Sequence, residues 1–211
     1  MPFVPDQSLT YPALAARVLA LPPSCGPVRV VAIDGPSGAG KSTFAPRLAA
    51  ALGEALGGGQ ARGGRGGGVP IVRSDDFRVP WDSDPLTWWK PLEDAVLGPL
   101  DAGRPATLRR YDWHRDVYGD PEEIPAREAL IIEGVGAAWH GSPAAYRIWI
   151  DAPREVRRAR ALDRDGAEWA DAWDAWATRE ERHFSTDATR GRIDLTIDGT
   201  GMDTFGFTTL T

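Results

Sequence analysis

The stretch VVAIDGPSGAGKSTF, residues 30–44, constrains the fold of this 211-residue chain more than any other feature. Apolar, largely β-branched residues run directly into a loop of Gly, Pro and Ser that ends in Lys-Ser-Thr. The loop matches G-x-x-x-x-G-K-[ST], and it lies between a predicted buried strand (28–34) and a predicted helix (41–56). This context favours a loop whose backbone N–H groups bind phosphate over a glycine turn that merely joins strand to helix.

Each part of this loop has a physical role in holding a nucleoside triphosphate with Mg²⁺. Glycines let the backbone turn tightly so that successive N–H groups point at phosphate oxygens, and the following helix adds its partial positive charge. Lys41 would reach the β- and γ-phosphates, and the Ser42 hydroxyl would be a Mg²⁺ ligand. The residues predicted to contact the nucleotide are Gly35, Ser37, Gly38, Ala39, Gly40, Lys41, Ser42 and Thr43.

Short apolar segments alternate with helical patterns along the rest of the chain. Strands are predicted at 28–34, 69–76, 128–135, 146–153 and 192–199, and helices at 8–20, 41–56, 88–100, 154–165 and 167–184. The alternation predicts an α/β fold with three α/β/α layers, a mostly parallel, about five-stranded sheet and a lid segment. Ser8 is expected to open the first helix, and Pro46 to kink the second helix or delay its start.

We predict a single domain over residues 1–211. Within it, 1–27 form an N-terminal helix and lead-in, 57–68 a glycine-rich flexible loop, and about 165–190 a lid and C-terminal helix. A phosphate-binding role for the 57–68 glycines is disfavoured, because no strand leads directly into them.

Charge and composition exclude several classes of partner. The net charge of −6 argues against a general nucleic-acid or anionic-membrane surface. The sequence contains no run of 18 apolar residues, so no membrane-spanning helix is predicted. Cys25 is the sole cysteine, which rules out an internal disulfide framework and fits a reducing compartment. We therefore expect a cytoplasmic protein with no nucleic-acid or membrane partner and no zinc site.

Acidic residues stand at the ends of two predicted strands. Because ligands of open parallel sheets bind beyond the carboxyl ends of the strands, Asp75 and Asp76 are predicted near the γ-phosphate. There a carboxylate can accept the proton of an attacking hydroxyl or bind the metal; a helix cap or turn is the alternative. Glu133 ends LIIE and is predicted to hold Mg²⁺ or its waters, with an exposed strand end as the alternative.

Arginines in REVRRARALDRD fall on one helix face at Arg157, Arg160 and Arg164. A solvated charged face is the default for such a run, but the acids of this segment are too few to pair them all. We therefore predict that these guanidinium groups offset phosphate charge during transfer.

Tryptophans form two groups. Trp169, Trp173 and Trp176 recur at helical spacing and predict core packing rather than a ligand platform. Trp81, Trp88, Trp89 and Trp113 fall in segments expected to line the acceptor pocket, where one or two could stack on a flat substrate.

The ordered set GPSGAGKS, DDF, WDSDPLTWW, YDW, IIEG and RRARALDRD resembles the uridine kinase and phosphoribulokinase group of P-loop kinases over roughly residues 28–199. The final helix and strand look like those of uridine-kinase-like proteins of high-GC bacteria. The resemblance implies transfer of the γ-phosphoryl group of ATP to a small-molecule hydroxyl. Asp75 matches the general base and Glu133 the Mg²⁺-associated acid; Asp75 is also a candidate metal ligand.

Further carried-over roles concern the lid and the acceptor. Arg157, Arg160, Arg164 and Asp165 match the run that leads into the lid, and Tyr111 matches a substrate-pocket tyrosine. The candidate acceptor contacts are Asp76, Asp84, Tyr111, Trp113 and His114, with Asp82 an alternative to Asp84 for the ribose hydroxyls.

This sequence departs from the family pattern in the acceptor segments. Asp116 stands where the family has a base-contacting His, and Arg78 replaces an aromatic residue. A pyrimidine nucleoside is the first acceptor to expect. A different small-molecule alcohol, or an accessory ATPase or switch without an acceptor, are the alternatives.

Overall fold

The computed structural model describes residues 8–57, 68–80 and 82–210. Most of the predicted glycine-rich loop and Trp81 lie outside these residues. The strands are β1 (Ser8–Thr10), β2 (Val28–Asp34), β3 (Ile71–Arg73), β4 (Ala106–Asp112), β5 (Val117–Ile124), β6 (Glu128–Glu133), β7 (Tyr146–Asp151), β8 (Leu195–Met202) and β9 (Gly206–Leu210). The helices are α1 (Tyr11–Leu19), α2 (Lys41–Ala55), α3 (Trp89–Leu92), α4 (Gly98–Asp101), α5 (Arg154–Asp165) and α6 (Ala170–Asp187), with a π-helical turn (Glu93–Leu97) joining α3 to α4.

The main sheet has seven strands in the order β1-β9-β8-β7-β2-β6-β3. Its five strands from β8 to β3 pair in parallel, which confirms the predicted parallel core of the α/β fold. Two antiparallel strands, β9 and β1, extend the β8 edge beyond the prediction. A separate hairpin, β4–β5, was also not predicted.

Apolar side chains cover both faces of the central strand β2. Val31 and Ile33 pack with α1 and α2 on one face, whereas Val30 and Ala32 pack with α3 and its continuation on the other. Alternate residues of one strand thus enter two cores, as a strand buried on both sides requires.

The predicted start of the first helix is wrong, and so is a delayed start for the second. The first helix begins at Tyr11, where the side chain of Thr10 caps it by accepting from the N–H of Ala13 at 3.3 Å, while Ser8 belongs to β1. Helix α2 begins at Lys41 and continues through Pro46, so its start is not delayed. Among the described helices, none combines the length and apolarity needed to cross a bilayer.

Tryptophans serve mainly as core residues. Trp88 and Trp89 are buried, and their indole N–H groups donate to the carbonyls of Val135 and Gly136. Their predicted place in the acceptor pocket is therefore wrong. Trp173 and Trp176 are buried as predicted, whereas Trp169 is 43% exposed.

Candidate active site at the carboxyl edge of the sheet

Three neighbouring parallel strands end side by side at one edge of the sheet. Ile33 of β2 pairs with Glu133 of β6, and Glu133 pairs with Arg73 of β3. The glycine loop, the Glu133 carboxylate and the turn after β3 therefore start from one row of the sheet. The sequence predicted this edge as the ligand site, and the register brings its three segments together.

The loop between β2 and α2 has the backbone of a phosphate cradle. Gly35, Gly38 and Gly40 have φ of 134°, 81° and 110°, a region that disfavours residues with a Cβ. A Cβ on Gly38 would lie 2.5 Å from the carbonyl oxygen of Arg157. Gly40 leads into the 15-residue helix α2, whose start has no side-chain cap and whose positive dipole end faces the loop.

Lys41 turns its side chain back along the loop. Its Nζ donates to the carbonyl oxygens of Gly35 at 2.8 Å and Pro36 at 3.1 Å, and the residue is buried. Ser42 and Thr43, the other predicted nucleotide contacts at the helix start, are exposed. The ammonium group is thus held inside the loop, where triphosphate oxygens would meet it.

Asp34, at the end of β2, is a structural residue of the site that the sequence analysis did not single out. Its carboxylate is fully buried and accepts three backbone N–H groups, from Gly35, Gly136 and Ala138, at 2.7–3.0 Å. Burial raises the pKa of Asp34 to about 6, against the lowering effect of these hydrogen bonds and of Lys41. It ties the start of the glycine loop to the segment that follows Glu133. An acid ending a buried strand was its only sequence signal.

Glu133 is buried beside the cationic groups of Lys41 and Arg73. Burial raises the pKa of Glu133 to about 7, while Lys41 and Arg73 act in the opposite direction. Its Oε2 lies 3.4 Å from Arg73 Nε, yet no group within the described ranges donates it a hydrogen bond. A buried carboxylate oxygen without a donor fits a group that binds Mg²⁺ or its waters.

No group of three or more His, Cys, Asp or Glu side chains in the described part of the chain is arranged to hold a metal ion. Mg²⁺ usually takes one or two protein groups and completes its coordination with substrate phosphates and water. The hydroxyl of Ser42 and the carboxylate of Glu133 are oxygen donors of the kind that Mg²⁺ prefers.

The turn after β3 separates its two aspartates. Asp76 is buried and accepts the N–H of Arg73 at 2.7 Å as well as a hydrogen bond from Arg110, so its carboxylate anchors the turn. Asp75 is exposed, and Ser74 donates to it at 3.3 Å. Of the two predicted site residues, Asp75 is the one whose carboxylate is open to a substrate.

The β4–β5 hairpin packs its turn against this segment. The indole of Trp113 donates to the carbonyl oxygen of Asp75 at 2.8 Å, and the hydroxyl of Tyr111 contacts both Arg78 and Asp116. His114 lies in the exposed turn, where its N–H donates to Asp112. Trp113 thus contacts Asp75, and Tyr111 contacts Arg78 three residues further along the chain.

The arginine face of α5 lies along the outside of the glycine loop. Arg157 donates to the carbonyls of Ala152 and Ser37, and Arg160 to those of Gly38 and Gly199. The helical spacing correctly predicted a shared face, but these two groups hold loop carbonyls where phosphates were expected. Arg164 pairs with Asp165, whose hydrogen bond raises the pKa of this guanidinium, and the nearby Asp75 carboxylate acts in the same direction.

Glu180 is a second residue of the site that the sequence analysis missed. Its side chain, on α6, accepts the N–H of Ser37 and pairs with Arg157. Trp176 also donates to the Ser37 hydroxyl at 2.8 Å. The predicted lid helix is therefore fixed against the glycine loop, which a helical pattern alone could not indicate.

Asp84, predicted to hold ribose hydroxyls, lies in a separate cleft. The cleft has a volume of about 440 Å³ and is lined by Asp82, Ser83, Asp84, Pro85, Arg179, Arg182, His183 and Thr186. The Oδ1 of Asp84 accepts the N–H of Leu86 at 2.8 Å. Among the described residues, Tyr111, Trp113 and His114 do not line this cleft, so the predicted acceptor contacts fall into two groups.

Comparisons with known proteins agree with this architecture. No protein-family model matches the chain. A cytidylate kinase of Natronomonas pharaonis is 34% identical over 137 residues, which are 64% of this chain and 58% of that protein. The chain therefore matches little more than half the length of this curated relative.

Solved structures match over most of the chain. A possible uridine kinase from Bacillus stearothermophilus has a TM-score of 0.58 at 19% identity, covering 87% of this chain and 94% of that one. A candidate fructose transport system kinase from Silicibacter sp. TM1040 has a TM-score of 0.55 at 20% identity, covering 82% and 95%. The glycine loop, the parallel sheet order and these neighbours agree: the chain has the fold of the P-loop kinases that the sequence resembles.

Proposed function

We propose that this protein is an ATP- and Mg²⁺-dependent kinase that phosphorylates a small molecule. The observation that carries the proposal is the row of paired residues Ile33, Glu133 and Arg73. This row contains the buried acid Glu133, and the glycine loop and the turn with the exposed Asp75 follow directly from it. Kinases among the structural neighbours and the cytidylate kinase relative support the same activity.

The chemistry would need little more than positioning and charge. The acceptor oxygen forms a bond to the γ-phosphorus as the bond from that phosphorus to the β–γ bridging oxygen breaks, so that ADP leaves. Asp75 takes the proton of the acceptor hydroxyl, while Lys41 and Arg164 offset phosphate charge. When bound, Mg²⁺ supplies further charge compensation at the phosphates, with Ser42 and Glu133 as its protein groups.

The first acceptors to test are the pyrimidine nucleosides uridine and cytidine. The family resemblance favours them, one structural neighbour is described as a possible uridine kinase, and the curated relative is named for cytidylate. A sugar is the next class, since the other neighbour is described as a fructose transport system kinase.

Acceptor-dependent ADP release from Mg·ATP, with the product mass checked, tests the proposal. The panel contains nucleosides, sugars and small alcohols. A kinase gives a product one phosphoryl group heavier than its acceptor. Asp75→Asn should abolish this product while nucleotide binding persists, because the variant keeps the glycine loop but loses the proton acceptor. ATP binding without turnover on any acceptor would instead favour an accessory ATPase or switch.

A further inference from the structure

Arg78 is an exposed arginine two residues after the turn that carries Asp75 and Asp76. The Arg78 side chain is 60% exposed, but contacts at its Nε atom restrict the guanidinium. The Nε donates to the Tyr111 hydroxyl at 3.1 Å and lies 3.7 Å from the Oδ1 of Asp116. The orientation of the guanidinium is therefore set by hairpin residues.

The terminal nitrogens of this guanidinium are available to a ligand. Within the described ranges, neither Nη1 nor Nη2 of Arg78 makes a hydrogen bond. Two parallel N–H donors at the end of a planar group match the oxygens of a carboxylate or phosphate. Because contacts at Nε already restrict the side chain, such an anion would bind with less loss of conformational freedom than at a free surface arginine.

The same hairpin strand connects Arg78 to Asp75. Tyr111 contacts Arg78, Trp113 donates to the carbonyl oxygen of Asp75, and the two rings pack edge to face with centroids 4.9 Å apart. The end of β4 and the residue that follows it thus contact both the Arg78 guanidinium and the backbone of Asp75.

We propose that Arg78 binds an acidic group of the acceptor, so that the preferred substrate is a hydroxyl compound bearing a carboxylate or phosphate. This inference rests on the proposed function, since it names the acceptor class of the same site. Asp116 is a positioning residue that acts through Arg78 and Tyr111. Without the guanidinium, Asp75 and Asp116 would leave this side of the site negative and would repel an anionic acceptor.

Matched acceptor pairs that differ by one anionic group provide the test. Suitable pairs are uridine with its 6-carboxylate, ribose with ribose 5-phosphate, and glycerol with glycerate. The wild-type protein should prefer the charged member of the pair it uses by at least about tenfold in kcat/KM, the scale of a charge-assisted hydrogen bond. Arg78→Gln should remove this preference mainly through KM, and Arg78→Lys should restore part of it.

Arg109→Gln is the matched control, because Arg109 is an exposed arginine on the same hairpin. Asp116→Asn should weaken the preference for the charged acceptor through its KM, because the guanidinium loses the carboxylate that orients it. Turnover with equal use of both members, or a preference that survives Arg78→Gln, would overturn the inference and leave the kinase proposal standing. Absence of acceptor-dependent turnover with every compound would overturn both.

Discussion

Glu180 in α6 accepts the backbone N–H of Ser37 in the glycine loop, with 2.9 Å between Oε2 and N. The other oxygen of the same carboxylate lies 3.1 Å from Nη1 of Arg157, and Glu180 is only 1% exposed. One buried ion pair therefore joins the loop to both α5 and α6. Together with the hydrogen bond from Trp176 to the Ser37 hydroxyl, this carboxylate holds α6 against the loop.

Replacing Glu180 by Gln should lower the free energy of unfolding by about 3 kcal/mol, because the largely buried Arg157 loses its counter-charge. Urea denaturation at constant pH measures the change. Glu181→Gln is the control, since this neighbouring acid is exposed and should leave the midpoint nearly unchanged. Equal midpoints for the two variants would show that the pair does not hold α6 in place.

Gly38→Ala should destabilise the protein by at least about 2 kcal/mol. A residue with a Cβ at φ of 81° is strained, and this Cβ would press on the backbone carbonyl of Arg157, which cannot rotate away. Gly191→Ala is the matched control, because its Cβ would meet nothing within 4 Å. Thermal unfolding of both variants, with ATP binding measured alongside, compares them. A Gly38→Ala protein as stable as Gly191→Ala would contradict the described loop geometry.

Sequence pattern predicted the parallel core well because its signals are local. β2, β6 and β7 are apolar runs buried on both faces, and α5 spans the predicted residues 154–165. The β4–β5 hairpin was not predicted because β5, VYGDPEEI, is almost wholly exposed and contains Gly and Pro. It therefore lacks the alternation of apolar and polar residues that marks a half-buried strand.

The candidate site likewise contains residues that the sequence predicted and contacts that it did not. Strand ends and the glycine motif placed Lys41, Asp75 and Glu133 at one edge, because strand direction follows from the fold class. Contacts between residues that are far apart in the sequence leave no local pattern from which to predict them. That Glu180 would meet Ser37, 143 positions earlier, or that Arg78 and Asp116 would share Tyr111, depends on tertiary packing.

Asp34 and Glu133 should favour folding of the nucleotide-free protein more strongly as the pH falls from about 7 to 5. Burial raises the pKa of Asp34 to about 6 and that of Glu133 to about 7, above their values in an unfolded chain. At these two sites the folded state therefore binds more protons across this range, and linkage gives up to about 1.4 kcal/mol per pH unit for each group. His183 acts in the opposite direction, because burial lowers the pKa of its imidazole. Urea denaturation across the range measures the slope. A Glu133→Gln variant with the wild-type slope would show that Glu133 does not contribute.

Glu133→Gln should also separate stability from metal use. At pH 8 the variant should be as stable as the wild type or more stable, because an uncharged amide replaces a carboxylate whose ionised form is disfavoured by burial. The Mg²⁺ concentration that half-saturates ATP binding should rise at least about tenfold, since the amide carries no charge to attract the ion or its waters. Titration with Mg²⁺ at fixed ATP, followed calorimetrically, measures this shift, and ATP binding without Mg²⁺ serves as the control. An unchanged Mg²⁺ requirement in a stable Glu133→Gln protein would mean that this buried acid does not serve the metal.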